Sequence, residues 1–332
     1  MGTTQYISSM GELSRKDNSL CFRKDGRNRY IPVEATREIF CLNEVSLNTK
    51  LLDFLSRNNV IVHFFNYNGG YSGTFYAKDK YRSGRLLVKQ VEAFQKSRLL
   101  IAKSVVKGIG KNMYEVLYHY YKHSKKEVKT VLDWLRKDFP LEVDAAENIL
   151  QLLSVEGKAW GNFYSTFKYF LPEDFTMNKR VKNPPDNPLN AMISYGNSLL
   201  YAKTISIIYR THLDQRISFL HEPSDARFSL SLDISEVFKP IIVFRTIFDL
   251  VNNRKIRVAK HFEKKLNFCK LNEEGKNIFI SAFEGRMEST FIHPAYKKKT
   301  TYRTAIKYDC YKLIKCITEG KEFTPFSLKE GR

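Results

Sequence analysis

The hydrophobic period of this chain changes once, and the change divides it. Over the first ~80 residues, β-branched and aromatic residues group between turn formers as strands do. Val60-Ile61-Val62-His63-Phe64-Phe65 is the strongest strand signal, Asn66 to Gly70 is a turn, and Tyr71 to Tyr76 completes a hairpin. Ser46 to Arg57 reads instead as a helix, because Leu47, Leu51, Leu52 and Leu55 recur at helical spacing. From about Leu86 the period is helical, as in Leu86 to Val106, where Leu87, Val91, Phe94, Leu99 and Ile101 lie among basic residues. The spacing predicts an α+β chain: a small β-rich N-terminal domain (1–80), a linker (81–88) marked by Ser83 and Gly84, and a larger all-helical domain (89–332). Asn183-Pro184-Pro185-Asp186-Asn187-Pro188 is too Pro-rich for helix and predicts a loop inside that domain, one that could border a site.

Of the 332 residues, 43% are hydrophobic and 27% charged, which suits an ordered globular protein and excludes a disordered one. Lys and Arg number 55 against 35 Asp and Glu, a net charge of +20. A polyanion such as nucleic acid is the natural partner for that balance, and a generally basic, solvated surface is the alternative. The most apolar stretch, Pro240 to Val251, is interrupted by Arg245 and Asp249 and falls short of the ~20 residues of a membrane span. Met1 to Met10 is polar and unlike a signal peptide, so the expected location is cytoplasmic. Cys21, Cys41, Cys269, Cys310 and Cys316 form no C-x-x-C pair and suggest neither a zinc ribbon nor a disulfide framework.

Asp233 and Glu236 stand three positions apart, so on a helix both carboxylates face one way. Such a pair suits a hard cation such as Mg²⁺ or Mn²⁺, and it equally suits two acids near a helix start. His221 follows the apolar run Ile217 to Leu220 and precedes Glu222-Pro223, which places it near a helix end, as a metal ligand or as a capping or core residue. Glu156 is an acid within the apolar helical segment Leu152 to Trp160, and burial there demands a metal, an arginine or hydrogen bonds. Lys107-Gly108-Ile109-Gly110-Lys111 reads as a basic turn, contacting phosphates or simply joining two helices. No phosphate loop, G-x-G-x-x-G, H-E-x-x-H or G-x-S-x-G is present, which argues against nucleotide hydrolysis and peptidase chemistry.

Several stretches together resemble the CRISPR-associated integrase family that inserts new spacers into CRISPR arrays, in the form associated with type I systems. They run from Val62-His63-Phe64-Phe65-Asn66-Tyr67 and Tyr71-Ser72-Gly73-Thr74-Phe75-Tyr76, through Glu156-Gly157-Lys158-Ala159-Trp160 and Asn190 to Gly196, to Phe323-Thr324-Pro325-Phe326. The most specific are Phe219-Leu220-His221, Arg227-Phe228-Ser229-Leu230, Leu232-Asp233 and Glu236-Val237-Phe238-Lys239-Pro240. The chain departs from the pattern at Ala226, usually glycine, and at Asn197, usually aromatic.

The resemblance implies that Glu156, His221 and Glu236 are catalytic metal ligands for Mg²⁺ or Mn²⁺, with Asp233 beside them as an outer-shell or second-metal carboxylate. It implies an endonuclease and integrase acting on double-stranded DNA, the spacer precursor and the CRISPR repeat, by attack of a 3′-hydroxyl on a phosphodiester. It also implies a homodimer made through the N-terminal domain, and a small ferredoxin-like partner completing a heterohexamer. Arg227 is then a phosphate clamp, or a structural partner of Asp225 or Glu222. The rival expectations are a stand-alone structure-selective DNase and a non-enzymatic basic DNA-binding scaffold.

Overall fold

The computed structural model describes residues 2–78, 83–121, 126–182, 184–223, 228–265 and 268–328. The chain divides into two compact units, Met1–Tyr81 and Arg82–Arg332.

The first unit contains β1 (Thr3–Ile7), β2 (Gly11–Lys16), β3 (Ser19–Lys24), β4 (Arg27–Pro32), β5 (Thr36–Cys41), β6 (Val45–Ser46), α1 (Thr49–Arg57), β7 (Ile61–Phe65) and β8 (Tyr71–Phe75). They form two four-stranded sheets in the orders β1-β5-β7-β8 and β4-β3-β2-β6. The expected hairpin is β7 and β8, antiparallel, with Val62 opposite Phe75. Its turn closes because Asn66 Oδ1 accepts from the backbone N–H of Gly70 at 2.9 Å while Gly69 takes φ 79°. Helix α1 starts where Asn48 caps it by accepting from Leu51 N. It buries Leu51, Phe54 and Leu55 against Leu13 and Leu20 of one sheet and Ile39 and Val62 of the other, so both sheets and one helix stripe make the core.

The second unit is helical, with two short ribbons that the helical expectation did not include. Its elements are α2 (Gly84–Tyr121), α3 (Lys126–Ala145), α4 (Ile149–Ser165), α5 (Pro188–Tyr209), α6 (Ser229–Lys239), α7 (Arg245–Asn252), α8 (Val258–His261), β9 (Phe262–Lys265), β10 (Phe268–Leu271), α9 (Glu273–Glu288), β11 (Thr290–Ile292), β12 (Lys299–Thr301) and α10 (Tyr302–Glu319). The ribbons are β9/β10 and β11/β12, too short for a periodicity reading to separate from turns. Asn187 caps α5 and Pro188 opens it, so the Pro-rich loop ends by starting a helix; Asn183 lies outside the described residues. Helix α5 is buried on nearly every side and forms the centre of the unit.

Helix α2 begins at Gly84, inside the stretch expected to be linker, and runs unbroken for 38 residues. The turn expected at Lys107 to Lys111 is therefore corrected: both glycines are helical. A Cβ on Gly110 would stand 2.1 Å from Phe139 of α3, and one on Gly108 would stand 2.9 Å from Pro325. These glycines permit close packing rather than a bend. Asn112, one turn further along α2, donates from Nδ2 to the carbonyls of Val237 and Phe326, both at 2.9 Å, and so braces α6 and the C-terminal segment together.

Candidate active site

Helix α4 presents Glu156, Trp160 and Tyr164 at intervals of four, which places them on one face. The Trp160 indole donates to Glu156 Oε1 at 2.6 Å. Its ring stacks on Tyr164, with centroids 5.6 Å apart, and leans on Phe244 at 5.6 Å. Phe163, Phe167, Phe244 and Phe248 continue this aromatic wall behind the carboxyl. Burial there disfavours charge, and the facing Glu236 carboxylate adds repulsion; together they lift the Glu156 carboxyl to about 7, against the Trp160 hydrogen bond and the positive charge of Lys239 and His221. Glu156, Glu236 and His221 therefore share one electrostatic site, although α4, α6 and the α5–α6 connection supply them separately.

His221 is not at a helix end as expected, but in an irregular segment between α5 and α6. The segment is fixed from both sides. Gln90, fully buried on α2, donates to the carbonyls of Asp214 (2.8 Å) and Ile217 (2.9 Å) and accepts from Asp214 N (3.0 Å). Arg98 on α2 donates to Phe219 O at 3.0 Å and pairs with Glu222 at 2.6 Å. From the other side, the buried carboxylate of Asp233 accepts the backbone N–H groups of Phe219 (2.7 Å), Leu220 (2.9 Å) and His221 (3.0 Å). It also takes His221 Nδ1 at 2.8 Å. Asp233 already accepts three backbone N–H groups and serves Nδ1 as a further acceptor, so Nδ1 carries the hydrogen and, in the neutral imidazole, Nε2 keeps its lone pair. Burial pushes the imidazole pKa down, but the hydrogen bond and charge of Asp233, with Glu236 behind them, outweigh it and leave the pKa raised.

Asp233 and Glu236 thus do different work from one helix. Asp233 is saturated by hydrogen bonds and orients the histidine. Glu236, with a side chain 9% exposed, ion-pairs through Oε1 with Lys239. Four residues on from Glu236, Pro240 has no N–H to offer its carbonyl, and the helix widens into a π-helical turn over Pro240–Phe244. That turn carries Phe244 onto Trp160.

The α4–α5 connection reaches the aromatic face of α4 ahead of the Pro-rich loop. Arg180 is hydrogen-bonded to Tyr164 and reaches Asn190 Oδ1 (3.1 Å) and Ser194 Oγ (2.8 Å) of α5. Arg227, the expected phosphate clamp, lies outside the described residues, and Glu222, one of its alternative partners, is held by Arg98. Sequence reading did not single out Trp160, Lys239, Gln90, Arg98 or Arg180. The i,i+4 spacing of Glu156 and Trp160 and the i,i+3 spacing of Glu236 and Lys239 were the available signals.

The donor set suits a hard divalent cation: two carboxylates, one with its pKa raised by burial and then by the other, and an imidazole whose second nitrogen is held by a carboxylate. Among the described residues, no three His, Cys, Asp or Glu side chains stand close enough as they are to enclose an ion. Glu236 is turned to Lys239 instead.

A family model described as CRISPR associated protein Cas1 matches residues 5–285. A CRISPR-associated endonuclease Cas1 of Thermodesulfovibrio yellowstonii is 40% identical over 329 residues, covering 98% of this chain and 99% of its own. The solved structure of a Cas1 protein from Thermotoga maritima superposes with a TM-score of 0.87 at 36% identity, covering 99% of this chain and all of that one. A casposase bound to its integration product shares the fold, with a TM-score of 0.84 at 20% identity over 100% of this chain and 95% of that one.

Proposed function

The chain belongs to the Cas1 family of CRISPR-associated proteins, and from that premise we propose that it is a metal-dependent DNA endonuclease and integrase. Its reaction is insertion of short DNA fragments into a CRISPR array. The observation that carries this reading is the electrostatic interaction of Glu156, on α4, with Glu236 and with an imidazole oriented by Asp233.

Glu156, Glu236 and His221 Nε2 would hold Mg²⁺ or Mn²⁺, with Asp233 as the support of the histidine rather than a ligand. When bound, such an ion polarises the scissile phosphate and stabilises charge on the leaving oxygen. The protein's own part is to hold the ligands. Asp233 fixes the tautomer of His221, Gln90 and Arg98 keep its loop from shifting, and the aromatic wall excludes water from behind Glu156. Without a cation the Glu156 carboxyl competes for a proton near neutrality, so cation binding displaces that proton.

In the joining reaction a DNA 3′-hydroxyl attacks phosphorus. One P–O bond forms as another breaks, so the number of phosphodiesters is conserved and no energy source is needed. Water in place of the hydroxyl gives cleavage. Double-stranded DNA is the substrate, which the net charge of +20 favours. The partners follow from family membership: a second copy joined through the Met1–Tyr81 unit, and a small ferredoxin-like protein completing a heterohexamer. No helix among the described residues is long and apolar enough to cross a membrane, and action in the cytoplasm accords with a DNA substrate.

A half-site integration assay with Mn²⁺ and the small partner tests this. Glu156→Ala, His221→Ala and Glu236→Ala are each expected to lower joining at least about a hundredfold, as loss of a ligand or its orientation does. Undiminished joining by any one removes that residue from the ligand set. Product formed equally in EDTA would refute metal dependence, and cutting of branched DNA without joining would favour a stand-alone DNase.

A further inference from the structure

Lys239 stands one turn beyond Glu236 on α6, and its side chain is only 15% exposed. Its ammonium pairs with Glu236 Oε1, and Nζ lies 5.9 Å from the centroid of Trp160, the residue that donates to Glu156. One protein cation therefore acts on both carboxylates of the proposed metal site. An i,i+3 pair on an open helix face contributes little, because water and salt screen it. This pair is withdrawn from water and backed by an indole face that itself favours a cation. Two carboxylates brought together against an aromatic wall call for positive charge beside them, and Lys239 is placed to supply it.

We propose that Lys239 is an exchange cation: its ammonium balances the Glu156–Glu236 pair before a divalent ion binds, and it gives up Glu236 when that ion arrives. This rests on the metal-dependent reading above. With both carboxylates ionised, as at pH 8.5, they and one ammonium leave one net negative charge. Adding a divalent ion turns that into one net positive charge, the sign that suits an anionic phosphodiester. The side chain has the length and freedom to move aside, since an ammonium on a four-carbon stem keeps its charge while changing partners. The exchange is non-covalent. It also makes Lys239 a brake on metal affinity, because the incoming ion must displace a cation already in place.

Mn²⁺ binding by isothermal titration calorimetry at pH 8.5, on the full chain, decides the matter. The proteins compared are wild type, Lys239→Met and Glu236→Gln. Methionine keeps an unbranched stem beside Trp160 and removes the charge. The expected result is Mn²⁺ bound about tenfold more tightly by Lys239→Met, about 1.4 kcal/mol, and lost from Glu236→Gln. Binding lost in Glu236→Gln but equal or weaker in Lys239→Met overturns the exchange role alone. Binding unchanged in Glu236→Gln overturns the metal site and this inference with it. A second readout keeps the lysine in place: in a Trp134→Phe background, Mg²⁺ is expected to shift Trp160 fluorescence as the ammonium leaves the indole. Unchanged emission at saturating Mg²⁺ contradicts the exchange, whether or not the methionine variant folds.

Discussion

His221 and Asp233 share two hydrogen bonds: the imidazole Nδ1 and the backbone N–H of the histidine both reach Asp233 Oδ1, at 2.8 and 3.0 Å. Asp233 therefore sets both where the residue sits and which ring nitrogen stays free. Asp233→Ala leaves three buried backbone N–H groups without their acceptor, and is expected to cost about 3–5 kcal/mol in unfolding free energy, read by urea denaturation. Asp233→Asn keeps the shape and loses the charge. It is expected to fold and to bind Mn²⁺ about 10–100-fold more weakly by calorimetry. Wild-type affinity in the asparagine variant would show that His221 needs no such partner.

A pH dependence follows from Glu156. Burial and then Glu236 hold its carboxyl at about 7, above the ordinary 4.5. Between those values the native protein keeps a proton that the unfolded chain has released. Native stability accordingly falls as pH rises through that window, and the whole penalty is present above pH 7. Glu156→Gln is expected to raise the metal-free melting temperature at pH 8, by roughly 2–4 °C for each kcal/mol relieved. The gain should vanish near pH 4.5. An equal gain at both pH values would point to a cause other than the charge.

Two glycines separate packing from propensity. Alanine at Gly110 meets Phe139 across the α2–α3 contact and should destabilise by about 1–3 kcal/mol or more. Alanine at Gly157, beside Glu156 but with nothing within 4 Å, should stabilise α4 by about 0.5–1 kcal/mol. Thermal melts of the two variants check both signs.

Gln90 supports the site from a distance. Gln90→Ala removes the partner of the Asp214 and Ile217 carbonyls, and is expected to cost about 1–3 kcal/mol and to increase amide hydrogen exchange in residues 214–222. Protection equal to wild type in that segment would show that Arg98 and Asp233 hold it unaided.

The hairpin at Asn66–Gly70 was legible because its period and turn chemistry are local. So was the switch to helix near Leu86. The glycines at 108 and 110 misled, because their reason is Phe139 and Pro325, remote in sequence. His221 was misplaced for the same reason: its segment has an apolar pattern, but Gln90, Arg98 and Asp233, all supplied from elsewhere, give it a non-helical course. Asp233 and Glu236 share a helix face in sequence, yet only the fold shows one saturated by hydrogen bonds and the other turned to Lys239. Residue types alone could not join Glu156 to the other two; the resemblance did that, and in the structure Glu156 interacts electrostatically with both, although the three do not stand close enough as they are to enclose an ion.

The most direct measurement is anomalous scattering from a crystal soaked in Mn²⁺. The account predicts a peak at about 2.0–2.3 Å from carboxylate oxygens of Glu156 and Glu236 and from His221 Nε2, with Asp233 still bonded to Nδ1. A peak ligated by Asp233 in place of Glu236, or no peak between α4 and α6, would contradict it.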